Sequence, residues 1–313
     1  MSANPLVSVV ILSWNRRDEL RKTLQQLRQV IYDPLEIIVV DNHSTDGTQE
    51  MVGEEIPHVR LIALPKNMGV AGWNEGFANA NGKYILALDD DAHPMPHAVQ
   101  KAVRLLEADE KIGIAACNVV NVTTCISETW WPKGLPVASG LEEVSFVGAG
   151  VFIRRSIIQH VGGFIDMFFL YQEELEFSTR VLAASYSIRL EENIIVCHRA
   201  SPLWRTSMRR VFFQERNTIL YFLLHFRVAT AMRKTIGALR RVAVQAFQLQ
   251  NVMLPFKVAG SVVHRLPEVL RRRRPVSQEL AGRILSVWPM SETHEQRRYS
   301  VQDLTALDHC NAT

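Results

Sequence analysis

Three consecutive aspartates, Asp89, Asp90 and Asp91, close the apolar run Tyr84-Ile85-Leu86-Ala87-Leu88. Carboxylates packed this closely repel one another, and hard cations such as Mg²⁺ or Mn²⁺ relieve the repulsion and bridge such groups to phosphate. An acidic turn opening the next helix would use the same residues, since Asp favours N-caps and Pro94 and Pro96 suit a first helical turn. A second carboxylate group, Glu173, Glu174 and Glu176, reads as a helix start. There, crowding of like charges raises proton affinity toward that of a general base, while ordinary solvation at the positive helix end is the other use of the cluster. His198 ends the apolar run Ile194-Ile195-Val196-Cys197. A neutral imidazole at that place is either a metal ligand or a half-buried strand end.

These groups act together only if the fold gathers them. Apolar runs at Val7 to Leu12, Glu36 to Val40, Val59 to Ala63 and Tyr84 to Leu88 alternate with helix-like stretches at Asp18 to Ile31, Thr48 to Ile56, Val70 to Ala80 and Ala98 to Ala108. Such alternation predicts an α/β fold with a mostly parallel, Rossmann-like sheet flanked by helices. Ligands of open α/β sheets bind beyond the carboxyl ends of the strands, where the aspartates stand. Neither G-x-G-x-x-G nor G-x-x-x-x-G-K-S/T follows the first strand; Ser13-Trp14-Asn15-Arg16-Arg17 occupies that place, so the usual dinucleotide and P-loop cradles are missing. Two other loops offer to hold a nucleotide. Asp41 to Thr48 has turn and N-cap chemistry, and Asn67 to Gly82 carries glycines that let backbone approach a ligand closely.

In this order the segments resemble the family 2 glycosyltransferases, inverting GT-A enzymes that use nucleotide-sugar donors and include rhamnosyltransferases. The resemblance runs from about Val7 to about Phe222. It rests on the first strand through Asn15-Arg16, on Val39-Val40-Asp41-Asn42 with Ser44 and Asp46-Gly47-Thr48, on Asn67 to Gly82, and on Leu88-Asp89-Asp90-Asp91 as the D-x-D element. A second block runs from Gly148 to Arg155, through Val161-Gly162-Gly163-Phe164, to Phe168 to Glu176. The resemblance implies a GT-A catalytic domain with Asn15, Asp41, Asn67, Gly69, Asn74, Asp89 and Asp90 around the donor, and with Asp91 and His198 on Mg²⁺ or Mn²⁺. It makes Glu174 the base, with Glu173 the second choice, and puts Glu173 and Glu176 on the acceptor side. The family shows Glu-Asp-x-Asp where this chain has Glu173-Glu174-Leu175-Glu176, and Ser185 stands where a glycine is common. The implied donor is a UDP- or dTDP-sugar, and the acceptor a saccharide or a lipid-linked one.

The 313 residues suffice for residues 1–205 as the catalytic domain, split near 110 into donor and acceptor halves, and for 206–313 as a basic helical extension ending in a polar tail after about Gln278. Between Arg199 and Arg274 stand 16 Lys and Arg against two acids, Glu215 and Glu268, so the remainder of a chain of net charge +3 is acidic. Some of Arg199, Arg205, Arg209 and Arg210 would meet phosphate. A noncatalytic polyanion- or membrane-binding module would use the same basic half together with Trp130, Trp131 and Trp204, but no nucleic-acid-reading motif accompanies them, so no nucleic acid is expected. A sugar-activating nucleotidyltransferase would carry a basic, Gly-rich loop after the first strand, which is absent. The four cysteines form no C-x-x-C pair and read as free thiols. No signal peptide opens the chain, and Ile219 to Phe226 is too short to span a bilayer, which predicts a cytoplasmic protein. Met232, Ile236, Leu239, Ala243 and Ala246 follow helical spacing opposite Arg233, Lys234, Arg240 and Arg241. With Arg271 to Arg274 they predict peripheral attachment to the anionic inner face of the membrane.

Overall fold

The computed structural model describes residues 4–129, 131–132, 141–200, 207–288 and 294–309. Strands β1 (Val7–Ser13), β2 (Leu35–Asp41), β3 (Arg60–Ala63) and β4 (Tyr84–Asp89) pair in parallel in the order β3-β2-β1-β4. Both faces of β1 and β4 are covered, which is why their residues are nearly all Val, Ile, Leu and Ala rather than alternating with polar ones. Beyond β4 the sheet becomes mixed. β5 (Ala92–Pro94), β6 (Ile112–Asn121), β8 (Leu141–Glu143), β9 (Gly150–Arg154) and β10 (Ser187–His198) complete nine strands, with β9 antiparallel to both β4 and β6. A short pair, β7 (Trp131–Pro132) with β11 (His294–Glu295), stands apart.

Helices α1 (Arg17–Leu27), α2 (Thr48–Glu55), α3 (Trp73–Asn79) and α4 (Ala98–Ala108) fill the crossovers as the alternation predicts. α1 buries Leu20, Thr23, Leu24 and Leu27, one face at helical spacing. It stops short of Ile31, which is exposed, because Asp33 precedes Pro34 and that position resists helix. The expected helix at Val70 to Ala80 begins instead as a 3₁₀ turn at Gly69–Gly72. The acidic-cap use of the aspartates is excluded: Asp89 ends β4, β5 follows, and α4 begins only at Ala98, with His97 as its N-cap.

The register gathers the site. Chain order reverses on either side of β1, so β1, β2 and β4 open a crevice at their carboxyl ends, with Ser13 beside Asp41 and Leu12 beside Asp89. Antiparallel pairing of β5 with β10 sets His198 beside Ala92, next to Asp91.

The second half adds α5 (Arg155–Val161), α6 (Glu173–Ala183), α7 (Ser207–His225), α8 (Val228–Gln248), α9 (Leu254–Arg272) and α10 (Gln278–Ser286). Leu220, Phe222, Ala238, Val258 and Ile284 join one buried cluster with Val10 and Ile38 of the sheet, so the basic helices share the sheet's core. The described residues of the tail after Gln278 include two helices. Ser277 caps α10, Ile284 is buried, and a terminal helix, Val301–His309, returns to α4. There Asp308, 2% exposed, accepts from the His97 backbone N–H at 3.2 Å and lies 4.0 Å from Lys101. Asp308→Ala is expected to lower unfolding free energy by about 1–3 kcal/mol, the cost of orphaning buried polar partners. An unchanged denaturant midpoint would show that the terminal helix does not brace the fold.

Candidate active site

Asp89, Asp91 and His198 bring one ligand atom each to within 4.8 Å of one another, from the end of β4, the turn after it and the end of β10. Asp91 is fully buried and His198 nearly so. The Asp91 carboxylate divides its oxygens: Oδ2 accepts from Arg16 Nη2 at 2.8 Å, and Oδ1 lies 3.2 Å from His198 Nε2. Burial, then repulsion from Asp91, pushes Asp89 up to about 7. Burial by itself would lower the His198 imidazole, but hydrogen bonds to Asp91 and Glu128 override it and raise it to about 10. Two hard oxygens and one imidazole nitrogen thus meet at one largely buried point, a donor set that suits Mg²⁺ or Mn²⁺.

Asp90 points elsewhere. Its carboxylate takes Ser13 Oγ at 2.9 Å and Arg16 Nη1 at 2.6 Å, while its carbonyl accepts from Thr23 Oγ1 at 2.7 Å. Arg199 braces the same turn from behind, bonding Glu19, Thr23 and the Asp90 carbonyl. Of the other arginines, Arg209 lies over the Trp14 ring and Arg210 bonds Gln214. Arg205, Trp130, Trp204 and Cys310 fall outside the described residues, while Cys117, Cys125 and Cys197 are free thiols.

α6 begins at Glu173, so all three glutamates sit in its first turn. Burial raises Glu174 to about 6, checked by backbone N–H groups of Glu174 itself and Gly148. A Cβ on Gly148 would stand 2.7 Å from Glu174 Oε1, so glycine is required for this approach. One residue on, the Ala149 carbonyl accepts from the Asp89 N–H at 3.2 Å, and the bend before β9 thus ties base candidate and cation cluster together. Glu173 is raised well above the carboxylate range by burial and by Glu174, and its Oε2 has no hydrogen-bond partner among the described residues. Glu176 differs: burial opposes its ionisation, but Arg180 at 2.8 Å and His225 at 3.0 Å hold it below the usual range.

The loop residues separate into two groups. Asp41 is fully buried; Oδ2 accepts from Ser44 N–H and from Gln49 at 2.7 Å, while Oδ1 has no partner among the described residues. Asn15, at φ +52°, accepts from the Thr45 N–H at 2.7 Å and joins the first two strand ends. Asn67 accepts from the Gly69 N–H, and Gly69 itself, at φ +58°, leaves no room for a Cβ beneath the Phe169 carbonyl. Asn74 spends one hydrogen bond at each end of its amide on the Phe164 backbone, at 2.8 and 2.9 Å.

Sequence spacing missed two residues. Arg16 neutralises Asp90 and Asp91 together, and its place directly after the first strand was the available signal. Glu128 accepts a 2.6 Å contact with His198 Nδ1 and so turns Nε2 toward Asp91. No motif surrounds it. Glu128→Gln is expected to weaken divalent-cation affinity by roughly 10–100-fold, as loss of an orienting carboxylate does. A Mn²⁺ titration giving the wild-type affinity would remove Glu128 from that role.

The sequence profile of the glycosyl transferase family 2 matches residues 8–176. YdaM of Bacillus subtilis, a probable glycosyltransferase, is 30% identical over 252 residues, 72% of this chain, and the chain covers 59% of that relative's length. The N-acetylglucosaminyl-diphospho-decaprenol L-rhamnosyltransferase of Mycobacterium tuberculosis is 22% identical over 256 residues, covering 69% of this chain and 83% of that one. Among solved structures, the mannosyltransferase PcManGT of Pyrobaculum calidifontis, in complex with GDP-Man and Mn²⁺, superposes with a TM-score of 0.55 at 18% identity, covering 93% of this chain and 81% of that one. That likeness identifies the sheet and its flanking helices as the GT-A fold. With the matched segment spanning both the aspartates of β4 and the glutamates opening α6, the chain belongs to glycosyl transferase family 2.

Proposed function

We propose that this chain is an inverting, divalent-metal-dependent glycosyltransferase that moves a sugar from a UDP- or dTDP-sugar to a hydroxyl of a saccharide or lipid-linked acceptor. The observation that carries this reading is the half-buried Glu174 carboxylate, tied through Gly148 and Ala149 to the Asp89, Asp91 and His198 group. Mg²⁺ or Mn²⁺ would be held by those three residues and, when bound, neutralises charge developing on the leaving diphosphate. Glu174 takes the acceptor hydroxyl proton as that oxygen attacks the anomeric carbon opposite the leaving group, and a single displacement inverts the configuration. Arg16 holds Asp91 in place, and the free Oδ1 of Asp41 is offered to a base imide N–H. The mycobacterial relative's diphospho-decaprenol acceptor and rhamnose favour a lipid-linked acceptor and a deoxyhexose.

A panel of nucleotide sugars with Mg²⁺ or Mn²⁺, read by nucleoside diphosphate release and by the anomeric coupling of the product, tests the proposal. Release that survives complete chelation of divalent ions would remove the metal from it, and retained anomeric configuration would remove the single displacement.

A further inference from the structure

Ten of the 14 large hydrophobic residues exposed among the described residues lie between Val228 and Leu270. α8 turns Ala231, Ala238, Val242 and Ala246 inward and leaves Met232, Ile236 and Phe247 on one outward stripe. The attachment face expected from the sequence is thus rotated: Leu239 is half-buried and Ala246 is buried, while Met232 and Ile236 face out. α9 repeats the arrangement, burying Leu254, Val258, Val262 and Val269 and exposing Phe256, Val263 and Leu270, with Met253 exposed just before it. Of the ten, the three most exposed flank the turn between the two helices: Phe247 at 86%, Val252 at 77% and Phe256 at 70%.

A rim of one sign borders these stripes. Arg233 and Arg240 on α8 and Lys257 and Arg271 on α9 are exposed, α8 has no acidic residue, and the only acid of α9, Glu268, pairs with Arg265 and Arg272. Apolar patches of this kind mark interaction surfaces. We propose that the hairpin of α8 and α9 inserts its tip into an anionic lipid surface, Phe247, Val252 and Phe256 entering the acyl boundary and the arginines meeting headgroup phosphates. The charge pattern selects this occupant, because a second copy of the chain would set the same basic rim against itself. Amphipathic helices with basic borders lie in the plane of the interface, and among the described residues no helix is long and apolar enough to cross it. The surface shares no residue with the Asp89, Asp91 and His198 group, so it holds or fails independently of the catalytic reading.

The full chain is expected to float with vesicles containing phosphatidylglycerol, to bind pure phosphatidylcholine at least tenfold less, and to keep part of its binding at molar salt, since only the rim contribution is screened. Phe247→Ser with Phe256→Ser is expected to cut partitioning at least tenfold with an unchanged thermal midpoint, both side chains being exposed. In parallel, Phe256→Trp should be quenched by lipids with brominated acyl chains. Unchanged flotation of the double variant, absence of quenching, or a concentration-dependent dimer abolished by the same substitutions would each overturn the proposal.

Discussion

Glu174→Gln is expected to bind donor nearly normally and to lose roughly 10² to 10⁴ in turnover, because glutamine keeps the shape but accepts no proton. The half-buried carboxylate also sets a pH profile. Its proton affinity is raised to about 6, and only the ionised form takes the acceptor proton, so kcat/KM is expected to fall as pH drops through about 6 and to level off above it. The glutamine variant should lose that inflection together with its rate. Glu173→Gln separates the neighbours: near-native transfer in Glu174→Gln with transfer abolished in Glu173→Gln would move the base one residue earlier. Native rates in both would end the catalytic reading of the α6 start.

Asp91→Asn is expected to lose metal-dependent donor binding and turnover together, by at least roughly 10²-fold in kcat/KM, since an amide oxygen is a poorer ligand for a hard cation. Asp91 also answers Arg16 at 2.8 Å, so the variant takes a charged partner from a half-buried guanidinium and should melt earlier. Asp90→Asn is the control. It removes charge from the same guanidinium but faces Ser13 rather than the cation ligands, so it should lower stability while sparing the Mn²⁺ affinity. Equal losses of Mn²⁺ affinity in the two variants would mean that the aspartates act as one undivided cluster and that the roles assigned from their oxygens are wrong.

Local pattern alone determined the strands and crossover helices of the first half, because two-sided burial and helical burial leave periodic signatures in the chain. It also determined that three carboxylates stand at a strand end where open α/β sheets bind ligands, and that three more open a helix. Tertiary structure decided which atom of each meets which partner. Arg16 and Glu128 reach Asp91 and His198 across many residues of chain, and no spacing rule links them. Asn74 has donor-site chemistry by type, yet its amide satisfies the Phe164 backbone, a demand that arises only when the Gly163-Phe164 loop packs on α3. The α8 face was ambiguous for a related reason. Met232 with Ile236, and Ala238 with Val242, both follow helical spacing, and hydrophobicity favours the larger side chains for the core. Close packing on the neighbouring helices admits the alanines instead, and that choice rests on interaxial distance, which no linear sequence records.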